Sequence, residues 1–181
     1  IDQAPHLEFA REIVRSFNYR YSSNVLIEPQ MKNTEIPKVL GIDGKEKMGK
    51  SLNNHIELAA SPEETRQRVM MMVTDPNRMK RNDPGNPDIC NVFSMHKIFT
   101  PQADVEMINI ECRRAGIGCV DCKKRFAENL NNALQPFRDK RAQLAADPNY
   151  VIEVLHDGAK RARSIARQTM DEVRDAVQLP K

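Results

Sequence analysis

From Ser61 onward, apolar residues recur every three or four positions, a period that leaves room for little but helices. Ser61-Pro62-Glu63-Glu64 opens the first helix. Ser stands at the cap, Pro at the first helical position and Glu three residues after the cap, which makes a capping box. That helix is expected to reach about residue 73, through the run Val69-Met70-Met71-Met72-Val73, read as core. Asp75 to Pro87, punctuated by Pro76 and Pro84, reads as a loop. Helices are expected at roughly 88–98 and from Thr100-Pro101 to about 115, the latter closed by Gly116-Ile117-Gly118. Phe126, Leu130, Leu134 and Phe137 mark a helix over 120–145. After the break at Asp147-Pro148, residues 149–177 carry Ile152, Leu155, Ala159, Ala162, Ala166, Met170, Val173 and Val177 on one stripe.

The first sixty residues read differently. Pro5 suits a first turn, and Leu7, Ala10, Ile13, Val14 and Phe17 predict a helix over 5–18. Asn24-Val25-Leu26-Ile27-Glu28 predicts a short strand, with a second around 38–40. Two such strands would belong to the end of an α/β unit. The expected fold is therefore mainly α: residues 1–60 as the end of an α/β domain and 61–181 as a helical domain. At 181 residues the chain suffices for one domain or one and a half. No apolar run approaches the roughly 18 residues that a membrane span needs, and no basic-then-apolar leader is present. Ile1 is an unusual start, which suggests a truncation.

Lys47-Met48-Gly49-Lys50-Ser51 is the stretch with the clearest chemistry. Two ammonium groups three residues apart, on a loop made flexible by Gly41, Gly44 and Gly49, can close over a polyphosphate and offset charge as a phosphoanhydride breaks. The plain alternative is a solvated basic turn. Gly44 to Ser51 also satisfies the Walker pattern. That pattern needs a buried strand before it, a helix after it and a later apolar strand ending in Asp. The run before Gly44 is short and interrupted, and no such later strand exists.

All four cysteines, Cys90, Cys112, Cys119 and Cys122, fall in one 33-residue window with the spacing C-x21-C-x6-C-x2-C. Three readings stay open: free thiols, a zinc site, or a [4Fe–4S] cluster, which tolerates uneven gaps. Only Cys119 and Cys122 form the close couple that zinc sites usually show twice. Basic residues flank them: Arg113 and Arg114 on one side, Lys123, Lys124 and Arg125 on the other. A net charge of +3 is too small to prove a nucleic-acid partner. The clustering nevertheless predicts contact with RNA phosphates and unstacked bases, against the alternative of a solvated helix face.

The lysine stretch resembles the K-M-S-K-S signature of class I aminoacyl-tRNA synthetases, with Gly49 in place of the first serine. Ile36-Pro37-Lys38-Val39-Leu40-Gly41-Ile42-Asp43-Gly44 looks like the segment leading into that loop. Ile1-Asp2-Gln3-Ala4-Pro5-His6-Leu7-Glu8, continued by Arg11, is similar to the G-x-D-Q-x-x-H-x-E-x-x-R stretch of tryptophanyl-tRNA synthetases. The resemblance covers essentially the whole chain but only the later half of such an enzyme. The four histidines include no H-x-G-H, so a C-terminal portion that is inactive alone is expected.

The resemblance implies the end of a Rossmann domain followed by an anticodon-binding domain, and ATP-dependent activation of tryptophan for loading onto tRNA(Trp). It implies ATP contacts by Ile1, Asp2, Val39, Lys47, Met48, Gly49, Lys50 and Ser51, with Lys47 and Lys50 catalytic, and a tryptophan contact by Gln3. Mg²⁺ would share the phosphate charge. A subset of these bacterial enzymes carries a [4Fe–4S] cluster on C-x22-C-x6-C-x2-C beside the anticodon-binding region; here the first gap is one residue short. The five basic residues would then meet the anticodon loop. A cytoplasmic, membrane-free, homodimeric full-length enzyme is expected. The rival readings are a non-catalytic helical RNA-binding or metal-sensing protein and a tyrosine-specific synthetase.

Overall fold

A computed structural model gives the structure of residues 3–32 and 38–179. Six α-helices are found among them: α1 (Ala4–Arg20), α2 (Pro62–Met70), α3 (Asn91–Phe99), α4 (Gln102–Arg113), α5 (Cys119–Ala146) and α6 (Pro148–Ala176). Each helix expected from periodicity is present, and the fold is mainly α. The chain divides into two compact units. One takes the described residues before 38 and after 146; the other is Lys38–Ala146.

In the Lys38–Ala146 unit, α5 is the spine. It packs along α2 and α3, and α3 packs on α4. Phe126, Ala127, Leu130 and Leu134 on one face of α5 meet Val69 of α2 and Val92, Phe93 and Met95 of α3, with Val105 and Ile108 of α4 completing the core. The capping box is formed as expected: Ser61 Oγ accepts from the Glu64 N–H, and the Glu64 carboxylate accepts from the Ser61 N–H at 2.8 Å. The Ser61 N–H first, and the Ser61 hydroxyl at 2.7 Å next, hold the Glu64 carboxyl below its ordinary value.

Four expectations need correction. The run 24–28 forms no strand. Side chains of α1 hold it instead: Asn18 Nδ2 donates to Leu26 O at 2.7 Å, the Leu26 N–H donates to Asn18 Oδ1 at 3.3 Å, and the Arg15 side chain binds the Glu28 carboxylate at 2.8 Å. Around 38–40 only a single antiparallel bridge forms, Leu40 with Lys47. The methionine run is not all core, because α2 ends at Met70. Met71 is exposed, and Met72 alone of the three is fully buried. Phe137 is likewise 66% exposed, since the buried face of α5 ends at Leu134.

The other unit contains α1 and α6. Asp147 caps α6 by accepting from the Tyr150 N–H. The apolar stripe of α6 is as periodic as expected, yet none of the helix is buried, and Leu155 and Ile165 are largely exposed.

Candidate functional site: a lysine loop and a cysteine cluster

The lysine stretch sits on a tight turn. The N–H of Met48 donates to Val39 O at 3.0 Å and that of Gly41 to Glu46 O at 2.9 Å, so residues 39–41 and 46–48 lie side by side. Gly44 takes the bend at φ +67°, a conformation L side chains rarely adopt. Asp43 Oδ1 accepts the N–H groups of Lys45 and Glu46. Together with the Asn54 amide, these hold the Asp43 carboxyl below its ordinary value.

Asn54 lies inside the turn, 4% exposed. Its Oδ1 accepts the Gly49 N–H at 2.8 Å, and its Nδ2 donates to Asp43 Oδ2 at 2.7 Å and to the Lys47 carbonyl at 3.3 Å. Lys47, Lys50 and Ser51 are left on the exposed side, with Met48 tucked against the core. After Gly49 comes a short 3₁₀ turn, Lys50–Leu52, rather than a long helix. Among the described residues no buried strand precedes Gly44, and the Gly49 N–H points to Asn54. The Walker reading therefore fails. Gly49 is extended, and a Cβ there would meet nothing closer than 3.9 Å, so the absent serine is not excluded by space. Arg68 of α2 clamps the exit of the loop, donating to Asn53 O at 2.6 Å and His55 O at 2.8 Å.

Gln3 stands exposed at the start of α1, where its carbonyl accepts the Leu7 N–H. Ile1, Asp2, Ile36 and Pro37 lie outside the described residues.

The cysteines arrive from three elements. Cys90 caps α3, Cys112 lies in the last turn of α4, and Cys119 and Cys122 open α5. Each thiol lies within electrostatic reach of the other three. Gly85 backs the group: a Cβ there would come to 2.6 Å from Cys112 Sγ. Among the described residues, however, no three His, Cys, Asp or Glu side chains are gathered to hold one metal ion. The four-thiolate metal site expected from the sequence, a [4Fe–4S] cluster with zinc as the runner-up, is therefore not seen among the described residues. In donor type, four cysteine thiols match what an iron–sulfur cluster takes.

Burial is what governs the thiols. It raises Cys90 and Cys112 and pushes Cys122 up to about 12, so placement at the start of α5 does not make Cys122 a thiolate. Such thiols are poor nucleophiles unless a metal displaces their protons. Beneath them lies His96, fully buried and lowered to about 4 by that burial. Its Nδ1 faces Thr100 Oγ1 at 2.8 Å, and that hydroxyl also accepts from Asn129. Thr100 can therefore donate to Nδ1, which leaves Nε2–H as donor to Cys122 O at 3.3 Å.

The expected RNA-facing residues are unevenly placed. Arg113 pairs with Asp88 at 2.8 Å, and Arg114 pairs with Glu111. Lys123 donates to Met70 O at 2.9 Å, which closes the end of α2, and Arg125 leans on the Met107 sulfur. Lys124 is exposed beside Ser61, Arg66 and Glu128. The sequence reading passed over a nearer basic group. Arg78 Nη1 lies 3.8 Å from Cys119 Sγ and 4.0 Å from Cys112 Sγ, and its Nη2 donates to Ile117 O at 2.9 Å. With Lys80 and Arg81 it lines a pocket of about 310 Å³ at the start of α5. The signal available was Arg78-Met79-Lys80-Arg81, three cations in four residues inside a segment read only as loop.

The chain is 43% identical over 180 residues to the tryptophan–tRNA ligase of Aquifex aeolicus, covering 99% of this chain and 45% of that one. It is 42% identical to the tryptophan–tRNA ligase of Thermotoga maritima, covering 98% of this chain and 54% of the relative. The chain thus spans about half the length of these curated relatives. Among solved structures, the tryptophanyl-tRNA synthetase of Campylobacter jejuni, complexed with ADP and tryptophan, matches with a TM-score of 0.79 at 29% identity, over 98% of this chain and 55% of that one. The family model described as tRNA synthetases class I (W and Y) matches residues 1–135, and the chain belongs to that family.

Proposed function

We propose that this chain forms the later half of a tryptophan-activating synthetase, in which Lys47 and Lys50 bind the ATP phosphates. The observation that carries this reading is the lysine loop. Its backbone groups are largely satisfied from within, so both lysines rise from a supported turn on the exposed side. In the reaction, the tryptophan carboxylate attacks the α-phosphorus of ATP and pyrophosphate leaves. Two cations, with Mg²⁺, would offset charge on the departing phosphates. Ile1, Asp2, Val39, Met48, Gly49 and Ser51 would complete the ATP contacts, and Gln3 would reach tryptophan. The Val39 carbonyl already accepts from Met48, which leaves its N–H for adenine. Tryptophan is preferred over tyrosine because the relatives above are tryptophan enzymes.

Residues 61–181 would serve the anticodon end of tRNA(Trp), and 1–60 the catalytic end, in a cytoplasmic homodimer. Arg113, Arg114, Lys124 and Arg125 keep exposed charge for RNA, and Arg78, Lys80 and Arg81 extend that basic surface. Among the described residues, no helix is long and apolar enough to cross a membrane. Cys90, Cys112, Cys119 and Cys122 would hold a [4Fe–4S] cluster, a reading supported by their number, their donor chemistry and the interaction of each thiol with the other three. Such a cluster would tie three elements together beside the RNA surface.

The test is tryptophan-dependent exchange of pyrophosphate into ATP. In the full-length protein, Lys50→Ala should lower the rate by about 30–1000-fold, the worth of one charge-assisted contact of about 2–4 kcal/mol to a transferring phosphate. Tryptophan binding should change little. This chain by itself should show background exchange only. An unchanged rate in Lys50→Ala would reduce the loop to a solvated turn. Iron analysis of anaerobically prepared protein should find about four irons per chain, and one zinc or no metal would remove the cluster.

A further inference from the structure

We propose that Asn54 is the positioning residue of the lysine loop, fixing the backbone from which Lys47 and Lys50 reach the phosphates. The proposal rests on reading that loop as the phosphate-binding one. Asn54 acts on the backbone between the two lysines. It grips the carbonyl of Lys47 and the N–H of Gly49, the peptide groups on either side of Met48. Lys50 follows directly. One buried amide therefore sets the path of the chain between the two cations.

The orientation of that amide is dictated by its neighbours. Gly49 N–H can only donate and the ionised Asp43 carboxylate can only accept, so Oδ1 must face the first and Nδ2 the second. The Asn54 carbonyl also accepts the Ile42 N–H at 2.8 Å, which ties the residue back to the turn. Gly41 makes the fit possible, because any Cβ there would run into the Asn54 side chain. The Gly41 carbonyl is held in turn by Asn91 Nδ2 at 2.7 Å, at the first residue of α3. The loop is thus referenced to the packed core through two buried asparagines.

Near-attack geometry is sensitive to displacements of about 1 Å, which can cost on the order of 100-fold. Asn54→Ala in the full-length protein should lower kcat for pyrophosphate exchange by about 10–100-fold, with KM for tryptophan within about twofold. Trypsin should cut this chain faster after Lys47 and Lys50. Asn54→Asp keeps the acceptor for Gly49 but sets two carboxylates together, and should be as damaging. Adding Asp43→Asn restores a donor–acceptor pair with the roles exchanged and should recover part of the lost rate, which a merely structural loss of the side chain would not permit. If Asn54→Ala does not fold, the comparison of Asn54→Asp with and without Asp43→Asn decides. A normal rate in Asn54→Ala, or no recovery in the exchanged pair, overturns the proposal, provided Lys50→Ala is impaired. If Lys50→Ala is also normal, the phosphate-loop reading itself has failed.

Discussion

The lysine loop and the cysteine cluster are built in opposite ways. The loop is largely local: residues between Val39 and Asn54 supply many of its hydrogen bonds, with braces from Arg68 of α2, from Val73 and from Asn91 of α3. The cluster is assembled at long range, from the cap of α3, the end of α4 and the start of α5, with Arg78 reaching in from the loop 75–87. A local turn depends on a few polar bonds and on glycines where a Cβ would collide. A long-range site depends on the core that brings its elements together. Damage to that core should therefore reach the cysteines before it reaches the loop.

The largest expected effect tests that dependence. Phe126 is fully buried in α5, edge-on to His96 at 5.1 Å and beside Phe99. Phe126→Ala should destabilise the Lys38–Ala146 unit by about 3–5 kcal/mol, read from urea denaturation. Thiol labelling of Cys122 should rise before tryptic cleavage at Lys50 does. Simultaneous exposure of both would mean that the two sites share one support.

Paired glycine substitutions come next. Gly41→Ala drives a methyl group into Asn54, and Gly85→Ala brings one to 2.6 Å from Cys112 Sγ. Overpacking of this kind costs about 1–3 kcal/mol each. Gly41→Ala should speed cleavage after Lys50 and leave thiol reactivity alone, and Gly85→Ala should do the reverse. Crossed effects would break the distinction between the sites.

Acid should loosen the loop more gently. The Asp43 carboxyl is held below its ordinary 3.8 by the Lys45 N–H first and the Asn54 amide next. A lowered folded pKa stabilises above the unfolded value, and that stabilisation is lost as pH falls through the folded one. Below about pH 3.8, the Asn54 side-chain amide resonances should shift together with the Asp43 carboxyl signal. Independent titration of the two would show that the pair is not coupled.

Gly49→Ser should do least. The backbone is extended and the space open, so melting should move by no more than about 0.5 kcal/mol in stability. A larger loss would mean that glycine is required there after all.

Periodicity and capping were enough to read the helices. The 3–4 recurrence from Ser61 onward, the Ser61–Glu64 box and the Asp147-Pro148 break all carry their information within a few residues of where it acts. The candidate lysines and the cysteine window were legible for the same reason, as residue types at short spacing. The amphipathic stripe of α6 shows the limit. A period says which residues share a face, not whether anything covers it, and in this structure none of that helix is buried.

Tertiary structure alone decided the rest. The run 24–28 had the composition of a strand, but strands need an edge to pair with, and α1 side chains hold it instead. Asn54, His96 and Arg78 look ordinary in the sequence. Each acquires its role from groups brought to it by folding: a carboxylate and two peptide groups, a hydroxyl with a cysteine carbonyl, and two thiols. Hydrogen-bond partners and burial are properties of three-dimensional neighbours, so no local pattern in the chain could name them.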